Sequence, residues 1–243
     1  MPSVDVILNP LQLPDVKDSV AVVIDVLRAS STITTALANG ARAVIPAGTI
    51  REAVKIAADY PGALLAGERN AKKPPHFDLG NSPFEFGPEK VAGKVIIFST
   101  SNGTRIIKRI DPANQIVIGS FLNAYAVSRY VRQQKKDALL YCAGNNGRFA
   151  LEDALCAAWI VNELRDFSLY DAAYWTLKSA IKFFPRKAKD EIDYIYKAIS
   201  ESQHGDNLKS LGLDTDMLYC SQLDIYDFVP ILKEGKFIKS NNL

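Results

Sequence analysis

Histidine is scarce in this chain of 243 residues, which contains only His76 and His204. A zinc site built from several histidines is therefore excluded, and a bound metal ion would be a hard cation held by carboxylate oxygens. The three cysteines, Cys142, Cys156 and Cys220, are too few and too scattered for a disulfide framework or a structural zinc cluster. This cysteine usage fits a reducing compartment.

A strong excess of one charge and long hydrophobic runs are also missing. The 29 basic and 27 acidic residues give a net charge of +2, which argues against a general binder of nucleic acids or membrane surfaces. No run reaches the roughly 18 apolar residues that a bilayer-spanning helix needs. The first ten residues lack the charged and apolar regions of a signal peptide. We therefore expect a cytoplasmic protein with no nucleic-acid and no membrane partner.

Short apolar runs alternate with amphipathic stretches along much of the chain. This alternation predicts an α/β fold with three layers, in which helices cover both faces of a mainly parallel or mixed central sheet. The length and the 48% hydrophobic content fit a single domain over residues 1–243. The predicted strands are 19–26, 43–47, 63–67, 95–99, 115–119 and 138–142, and the predicted helices are 32–39, 49–60, 104–110, 123–133 and 152–167.

Residues 70–94 break the alternation, with four prolines and no clear periodicity. A loop of this length inside a compact domain is usually functional or disordered. It carries Phe77, Leu79, Phe84 and Phe86, which is too much apolar surface for a free segment. We therefore predict an ordered loop at an active site or an interface.

The C-terminal third is predicted to be helical over residues 168–215, as a subregion of the same domain. Its aromatic residues, among them Tyr170, Tyr174, Trp175 and Tyr194, are expected to pack on the core, and an oligomer contact is the alternative. Two short strands are expected between residues 217 and 238.

Polar side chains gather where the predicted strands end. In open α/β sheets, ligands bind beyond the carboxyl ends of the strands. Each group has a simple structural explanation by itself, as a helix cap, a turn or a local ion pair. Their recurrence at five strand ends predicts a common site. These residues include Asp25, Arg28, Ser30, Ser31, Glu68, Arg69, Ser101, Asn102, Gly103, Thr104, Arg105, Ser120, Asn123, Arg148, Glu152 and Asp153.

These residue types suit a phosphorylated ligand. Helix N-termini rich in Ser, Thr and Gly bind phosphate-like anions, and Arg28, Arg69 and Arg105 can form bidentate contacts with anionic oxygens. Carboxylates are the ligands that Mg²⁺ prefers when it also bridges to a phosphate. The combination points to metal-assisted phosphoryl chemistry on a multiply anionic substrate.

Of two common phosphatase motifs, one is absent from the sequence and the other is incomplete. The DxDxT motif needs a second aspartate at position 27, which is Leu27. Cys142 and Arg148 have the C-x₅-R spacing of cysteine phosphatases, but Phe149 and Tyr141 depart from the residues usual beside it. A thiol nucleophile therefore remains an alternative, as does a non-catalytic module that binds a small phosphorylated acid.

Seven blocks of the chain, in one order, resemble the 2-phosphosulfolactate phosphatase family. They are IDVLRAS at 24–30, LAGER at 65–69, FDLGNSP at 77–83, NGTR at 102–105, GSFLNA at 119–124, CAG at 142–144 and LED at 151–153. A departure occurs at residues 99–101, where Ser-Thr-Ser replaces a more threonine-rich run.

The resemblance implies a Mg²⁺-dependent acid phosphatase with a family-specific α/β fold. Its reaction is hydrolysis of 2-phospho-3-sulfolactate to 3-sulfolactate and phosphate, a step in coenzyme M biosynthesis, and its assembly is a homodimer. The role of Asp25 stays open between metal ligand, nucleophile and base. His204 is expected to be exposed or to cap a helix, and an approach to the site is the alternative. The expected catalytic residues are Asp25, Arg28, Glu68 and Arg69; the substrate-binding residues are Ser30, Asn81, Ser82, Asn102, Gly103, Thr104 and Arg105; and the metal ligands are Asp25, Asp78, Glu152 and Asp153, with Glu68 as an alternative beside Asp25.

Overall fold

The computed structural model describes residues 1–8, 11, 13–14, 17–110, 114–180 and 191–240. Within these ranges the strands are β1 (Ser3–Ile7), β2 (Val20–Ile24), β3 (Ala43–Pro46), β4 (Leu64–Gly67), β5 (Val95–Ser99), β6 (Gln115–Gly119), β7 (Ala138–Cys142), β8 (Ser168–Leu169), β9 (Pro230–Lys233) and β10 (Lys236–Lys239). The helices are α1 (Ala29–Ala38), α2 (Ile50–Ala57), α3 (Pro88–Val91), α4 (Gly103–Ile107), α5 (Ala124–Gln134), α6 (Leu151–Glu163), α7 (Asp171–Ala180), α8 (Glu191–Ser200), α9 (Gln203–Ser210) and α10 (Asp214–Cys220).

All of these strands belong to one mixed sheet, in the order β4-β5-β3-β10-β9-β6-β2-β7-β1-β8. Strands β4, β5 and β3 are parallel to one another, as are β6, β2, β7, β1 and β8. The β9–β10 hairpin joins the two sets and pairs antiparallel with β3 on one side and with β6 on the other. The two parallel sets therefore run in opposite directions.

Strand β2 shows why the sheet is covered on both faces. Successive side chains of a strand point to opposite faces. Val22 and Ile24 join a core formed with α5 and α6, whereas Val23 joins a second core that contains Ile33 of α1. A third, smaller core packs α2 against β3 and β5. The predicted three-layer α/β/α fold with a mixed sheet is confirmed.

The central strands match their predicted positions, and β5, β6 and β7 have the predicted limits. Strand β1 was not predicted, because only two of its five residues, Val4 and Val6, are fully buried in a short polar-apolar alternation. Between residues 217 and 238 the prediction was partly wrong. Residues 217–220 continue α10, and the strands begin only at Pro230.

The loop at 70–94 is ordered, as predicted. Phe77, Leu79 and Phe86 are buried, whereas Phe84 is exposed. A 3₁₀ turn at Pro83–Glu85 and helix α3 give the second half of the segment its local structure. The loop is held to the sheet by Asp78 and Leu79, whose backbone N–H groups both donate to the carbonyl of Leu65.

The helices after residue 168 form, but most of their described aromatic residues do not pack on the core as expected. Tyr170, Tyr174, Trp175 and Tyr194 are each about half exposed, at 48–59%. Tyr196 does pack on the core, together with the smaller aliphatic side chains of Ala173, Leu177, Ala180, Ala198 and Ile199. Two further aromatic residues of this predicted stretch, Phe183 and Phe184, lie outside the described residues. Among the helices that are described, none has the length and apolar character required to cross a bilayer.

Candidate active site

A polar cavity of about 710 Å³ lies where the β2–α1 connection meets the segments after β4, β5 and β7. Helix α9 forms its remaining wall. The cavity is lined by Asp25, Leu27, Arg28, Glu68, Asn70, Ala71, Lys72, Asn81, Thr100, Ser101, Asn102, Asn145, Asn146, Arg148, Gln203, His204, Asn207, Leu208 and Leu211.

The way these segments meet differs from the sequence-based expectation. Four strands separate β2 from β5, and the two run in opposite directions. In a flat sheet their carboxyl ends would lie at opposite edges. Yet the Gly103 N–H, after β5, donates to the Asp25 carboxylate, after β2, at 2.8 Å. Helix α1 contacts strands of both sets, so it lies across the region where the two sets meet.

Asp25 is the most deeply placed carboxylate of the cavity, with 5% of its surface exposed. Its oxygens accept hydrogen bonds from the N–H groups of Ala29 (3.3 Å) and Gly103 (2.8 Å). Burial raises the pKa of Asp25 to about 6, although the charge of His204 and the two N–H groups oppose this shift. The surroundings therefore hold the side chain in place while disfavouring its negative charge.

Glu68 faces the same cavity and is fixed by two backbone groups. Its Oε1 accepts from the Ser101 N–H at 2.7 Å, and its Oε2 accepts from the Ala71 N–H at 2.9 Å. The negative charge of Glu68 contributes to the raised pKa of Asp25. Two ionisable carboxyl groups of one sign therefore share the cavity, which favours a bound cation between them.

Gly67→Ala is expected to lower the free energy of unfolding by about 2–4 kcal/mol, because the new side chain meets both backbone strain and a clash. Gly67 has φ +138°, and a Cβ there would lie 2.0 Å from the Ser99 carbonyl oxygen. Gly62→Ala is the matched control, since Gly62 also has a positive φ but has no atom within 4 Å of an added Cβ. Urea unfolding of both variants would measure the difference, and equal losses would contradict the role given to Gly67.

Arg28 lines the cavity and is itself buried, with 3% exposed. Its Nη1 forms an ion pair with Asp216 of α10, and its Nη2 donates to the Ala71 carbonyl at 3.3 Å. The Ser82 hydroxyl donates to the other oxygen of Asp216 at 2.7 Å. The sequence did not point to Asp216, which lies in no recognised motif. Ser82 thus supports Arg28 through Asp216 and does not line the cavity.

Arg69 does not line the cavity either. Its guanidinium donates to the carbonyls of Glu68 (2.6 Å) and Ser99 (3.0 Å) and to the Ser99 hydroxyl (2.9 Å). It therefore fastens the end of β4 to the end of β5. Arg105 is exposed and also lies outside the cavity lining. Of the three arginines expected to contact the substrate, only Arg28 faces the cavity directly.

Several predicted substrate-binding residues shape the backbone around the cavity. Ser30 Oγ accepts from the Asp25 N–H (2.9 Å) and donates to the Val23 carbonyl (3.2 Å). Thr104 Oγ1 accepts from the Thr100 N–H at 3.0 Å and is fully buried. Gly103 contributes its N–H to Asp25, and a Cβ there would lie 2.7 Å from Asp25 Oδ2. These three residues position the site and are not part of its lining.

Two predicted asparagines do line the cavity. Asn102 Oδ1 accepts from the Asn146 N–H at 3.2 Å, which connects the segments after β5 and β7. Asn81 Oδ1 is buried and has no hydrogen-bond partner among the described residues. A buried carbonyl oxygen without a partner is costly, so this atom is suited to a bound cation or a hydrogen-bond donor.

The four carboxylates expected to hold a metal ion are not gathered at one point. Asp78 is exposed and accepts from the Leu65 N–H at 2.8 Å. Asp153 accepts from the N–H groups of Val26 (2.8 Å) and Gly144 (2.9 Å), and Glu152 contacts His204. Within the described part of the chain, no group of three or more His, Cys, Asp or Glu side chains is arranged to hold a metal.

A magnesium site with fewer carboxylates fits the cavity. Mg²⁺ is usually bound through one or two carboxylates and completes its coordination with water and substrate phosphate. Asp25 and Glu68 supply two carboxylates, and Asn81 Oδ1 is an additional unpartnered oxygen in the same lining. The donor set is made of oxygen atoms, as a hard cation requires.

Cys142 does not have the surroundings of a reactive thiol. It is 1% exposed, it belongs to the core beside β2, and it is not part of the cavity lining. Burial, together with the nearby charge of Asp153, raises the pKa of the Cys142 thiol well above its ordinary value. A nucleophilic cysteine needs a stabilised thiolate, so the C-x₅-R spacing of Cys142 and Arg148 is not used in the manner of a cysteine phosphatase.

His204 was expected to be exposed or to cap a helix, and this was wrong; the alternative, an approach to the site, is what the structure has. It is the second residue of α9, whose N-cap is Ser202, and it lines the cavity. A Cβ on Gly205 would lie 2.2 Å from the Ile199 carbonyl oxygen, so the glycine allows α9 to pack closely on the end of α8.

The fold and the site define an α/β protein with buried carboxylates and a buried arginine around one polar cavity. The model of the family described as 2-phosphosulpholactate phosphatase matches residues 7–235. The chain therefore belongs to this family.

Curated relatives agree over almost the full length. A probable 2-phosphosulfolactate phosphatase of Thermotoga petrophila is 46% identical over 237 residues, covering 97% of each chain. Proteins with the same description are 41% identical in Caldanaerobacter subterraneus subsp. tengcongensis, over 93% of each chain, and 37% identical in Clostridium perfringens, over 96% of this chain and 94% of the relative.

Proposed function

We propose that this chain is a Mg²⁺-dependent phosphatase that hydrolyses 2-phospho-3-sulfolactate to 3-sulfolactate and phosphate. The observation that carries the proposal is the placement of Asp25, Glu68 and Arg28 around one cavity. The family match and the descriptions of the relatives support the substrate. In an organism that makes coenzyme M, this reaction would serve its biosynthesis.

The chemistry of the cavity suits a substrate with phosphate, sulfonate and carboxylate groups. Arg28, Lys72 and Arg148 supply positive charge. Arg28 keeps N–H donors free after its bonds to Asp216 and Ala71, because a guanidinium has five. Amide side chains provide neutral donors for oxyanions around the rest of the lining, namely Asn70, Asn102, Asn145, Asn146, Gln203 and Asn207.

Asp25 and Glu68 would hold the metal ion. Their four backbone N–H contacts fix both carboxylates, so little conformational freedom would be lost on binding. When bound, Mg²⁺ would neutralise phosphoryl oxygens and orient the attacking group. Asp153 would support the site without lining the cavity, because its carboxylate accepts hydrogen bonds from the backbone N–H groups of Val26 and Gly144.

Phosphate release from 2-phosphosulfolactate tests the proposal directly. We expect turnover with Mg²⁺, its loss on addition of a chelator, and its recovery when Mg²⁺ is restored. A non-catalytic binder would retain substrate without releasing phosphate, and it gains nothing from carboxylates beside an anionic ligand.

Cys142→Ala in the same assay distinguishes a cysteine nucleophile from the proposed metal-dependent mechanism. A buried free cysteine behaves as a small hydrophobic residue, so this variant is expected to keep its turnover and its metal requirement. Turnover that survives chelation but is lost in Cys142→Ala would instead support a cysteine nucleophile.

We also propose that the protein is a homodimer, as the family resemblance implies. The half-exposed aromatic residues of α7 and its flank, Tyr170, Tyr174 and Trp175, form a surface suited to such a contact because interfaces are enriched in Tyr and Trp. Sedimentation velocity would give the mass in solution. The cytoplasmic location remains a prediction.

A further inference from the structure

His204 and Glu152 form a buried pair beside the cavity. His204 Nδ1 lies 2.8 Å from Glu152 Oε1, and the two side chains are 13% and 1% exposed. They come from separate elements, His204 from the first turn of α9 and Glu152 from the first turn of α6. Neither side chain belongs to the proposed magnesium site of Asp25 and Glu68.

The contact with Glu152 fixes which ring nitrogen is available to a substrate. A carboxylate accepts hydrogen bonds, so the ring donates through Nδ1–H. Among the described residues, Glu152 is the hydrogen-bond partner of this ring, and His204 belongs to the cavity lining. Nε2 is therefore the nitrogen left to act in the cavity.

The contact with Glu152 favours the protonated form of His204. The ring lies 2.8 Å from a carboxylate that is only 1% exposed, and an opposite charge at hydrogen-bond distance stabilises an imidazolium. A protonated ring has an N–H on Nε2 in addition to the one that Glu152 accepts.

An alkyl phosphate ester needs a proton when its P–O bond breaks. The oxygen of the 2-hydroxy acid would otherwise leave as an alkoxide, which is strongly basic. His204 carries the imidazole of the cavity lining, and imidazole is the side chain that most often transfers protons in enzymes near neutral pH. His204 has an ordinary pKa close to that range.

We propose that His204 is the proton donor to the ester oxygen of the leaving 2-hydroxy acid, and that Glu152 is the positioning residue that orients its ring. This inference rests on the proposed phosphatase function. A P–O bond forms to the attacking oxygen, and the bond to the ester oxygen breaks with its electron pair remaining on that oxygen. The Nε2 proton then completes the alcohol. A proton released by the water consumed in the reaction restores the imidazolium, so that ester and water give alcohol and phosphate.

Two substrates distinguish this role from a structural one. His204→Asn, which keeps an N–H near Glu152 but lacks Nε2, is expected to lower kcat/KM for 2-phosphosulfolactate by about 10²–10⁴-fold. With 4-nitrophenyl phosphate, whose phenolate leaves without a proton, the expected loss is less than about tenfold. Both rates are measured on one sample with Mg²⁺, so their ratio does not depend on the fraction that is folded.

Matched variants complete the experiment. His76→Asn makes the same substitution at the other histidine, which is exposed, outside the cavity and at a positive φ that asparagine tolerates, and it should leave both rates unchanged. Glu152→Gln keeps a hydrogen-bond acceptor for the ring but removes the charge, and a smaller loss confined to 2-phosphosulfolactate is expected.

Equal losses on the two substrates in His204→Asn would overturn the proposal while leaving the phosphatase function intact. If the wild-type protein does not hydrolyse 4-nitrophenyl phosphate, the ¹⁸O isotope effect at the bridging oxygen of 2-phosphosulfolactate gives the same discrimination. It should increase in His204→Asn, and an unchanged value would overturn the proposal. A wild-type protein that releases no phosphate from 2-phosphosulfolactate would instead refute the proposed function.

Discussion

Asp25→Asn is expected to lower kcat/KM for 2-phosphosulfolactate hydrolysis by on the order of 10³-fold, because electrostatic stabilisation at the phosphoryl group is lost. The substitution removes one of the two carboxylates proposed to hold Mg²⁺, whichever further role Asp25 has. It keeps the shape of the side chain and one oxygen that can accept a hydrogen bond from Gly103. Phosphate release at saturating Mg²⁺ is the measurement.

The stability of this variant distinguishes a catalytic loss from unfolding. Burial raises the pKa of Asp25 from 3.8 to about 6, so the folded state binds this proton more tightly than the unfolded state does. The wild-type protein without metal therefore loses stability as the pH rises from 3.8 to about 6, and the ionised carboxylate costs stability above that interval. Asp25→Asn removes this cost, so its melting temperature at pH 7 should not fall.

Asp78→Asn is the control for Asp25→Asn. Asp78 belongs to the same motif-rich half of the chain, but it is exposed and lies outside the cavity. Its expected activity is that of the wild type. Full activity in Asp25→Asn, or an equal loss in both variants, would contradict the central role given to Asp25.

Asp216→Ala is expected to lower the free energy of unfolding by about 3–5 kcal/mol, because it leaves the buried charge of Arg28 without its partner. The side chains of Arg28 and Asp216 are 3% and 2% exposed, so water can hardly replace the lost carboxylate. The Ser82 hydroxyl also loses its acceptor. Urea or thermal unfolding would measure the loss.

Asp214→Ala on the same helix is the matched control. Asp214 is exposed and lies in the first turn of α10, where its charge favours the helix by no more than about 1 kcal/mol. Comparable losses in the two variants would mean that the contact between Arg28 and Asp216 adds nothing beyond the helix itself. A rise in KM confined to Asp216→Ala would further show that this pair orients Arg28 for substrate.

The sequence identified the elements of the cavity better than the roles of the side chains. Asp25, Arg28, Glu68, Asn81 and Asn102 were all singled out, and all of them line it. They follow buried strands or fall in family motifs, and both signals are local in the chain. The prediction that they share one site assumed that all the strands before them are parallel. This assumption holds within each set of strands and fails between the two sets.

The direction of the side chains accounts for most of the differences between the predicted and the observed site residues. Arg69 follows Glu68 directly, yet one side chain faces the cavity and the other binds the carbonyl of Ser99. Successive side chains of an extended segment point in opposite directions. The sequence of a motif that contains both residues does not show which of the two side chains faces the cavity, because this depends on which face of the sheet is covered.

Long-range partners account for the rest. Asp216 contacts Arg28 across 188 positions of the chain, and His204 contacts Glu152 across 52. Neither contact leaves a periodic or compositional signal near the residues involved. A scarce histidine and an aspartate in an ordinary helix acquire their positions only through the packing of α9 and α10 near Glu152 and Arg28, which are distant in the chain.

The sequence by itself determined the α/β alternation, the positions of the central strands, the family and the polar chemistry that follows the strands. These properties depend on the periodicity and the identity of neighbouring residues, which short-range physical chemistry fixes. The tertiary structure alone decided that the two strand sets run in opposite directions. It also decided that Arg69 and Thr104 bind backbone groups and do not line the cavity, and that Asp216 and His204 reach the site. Those outcomes depend on which distant surfaces can be buried together, and the free energy of that burial belongs to the whole fold.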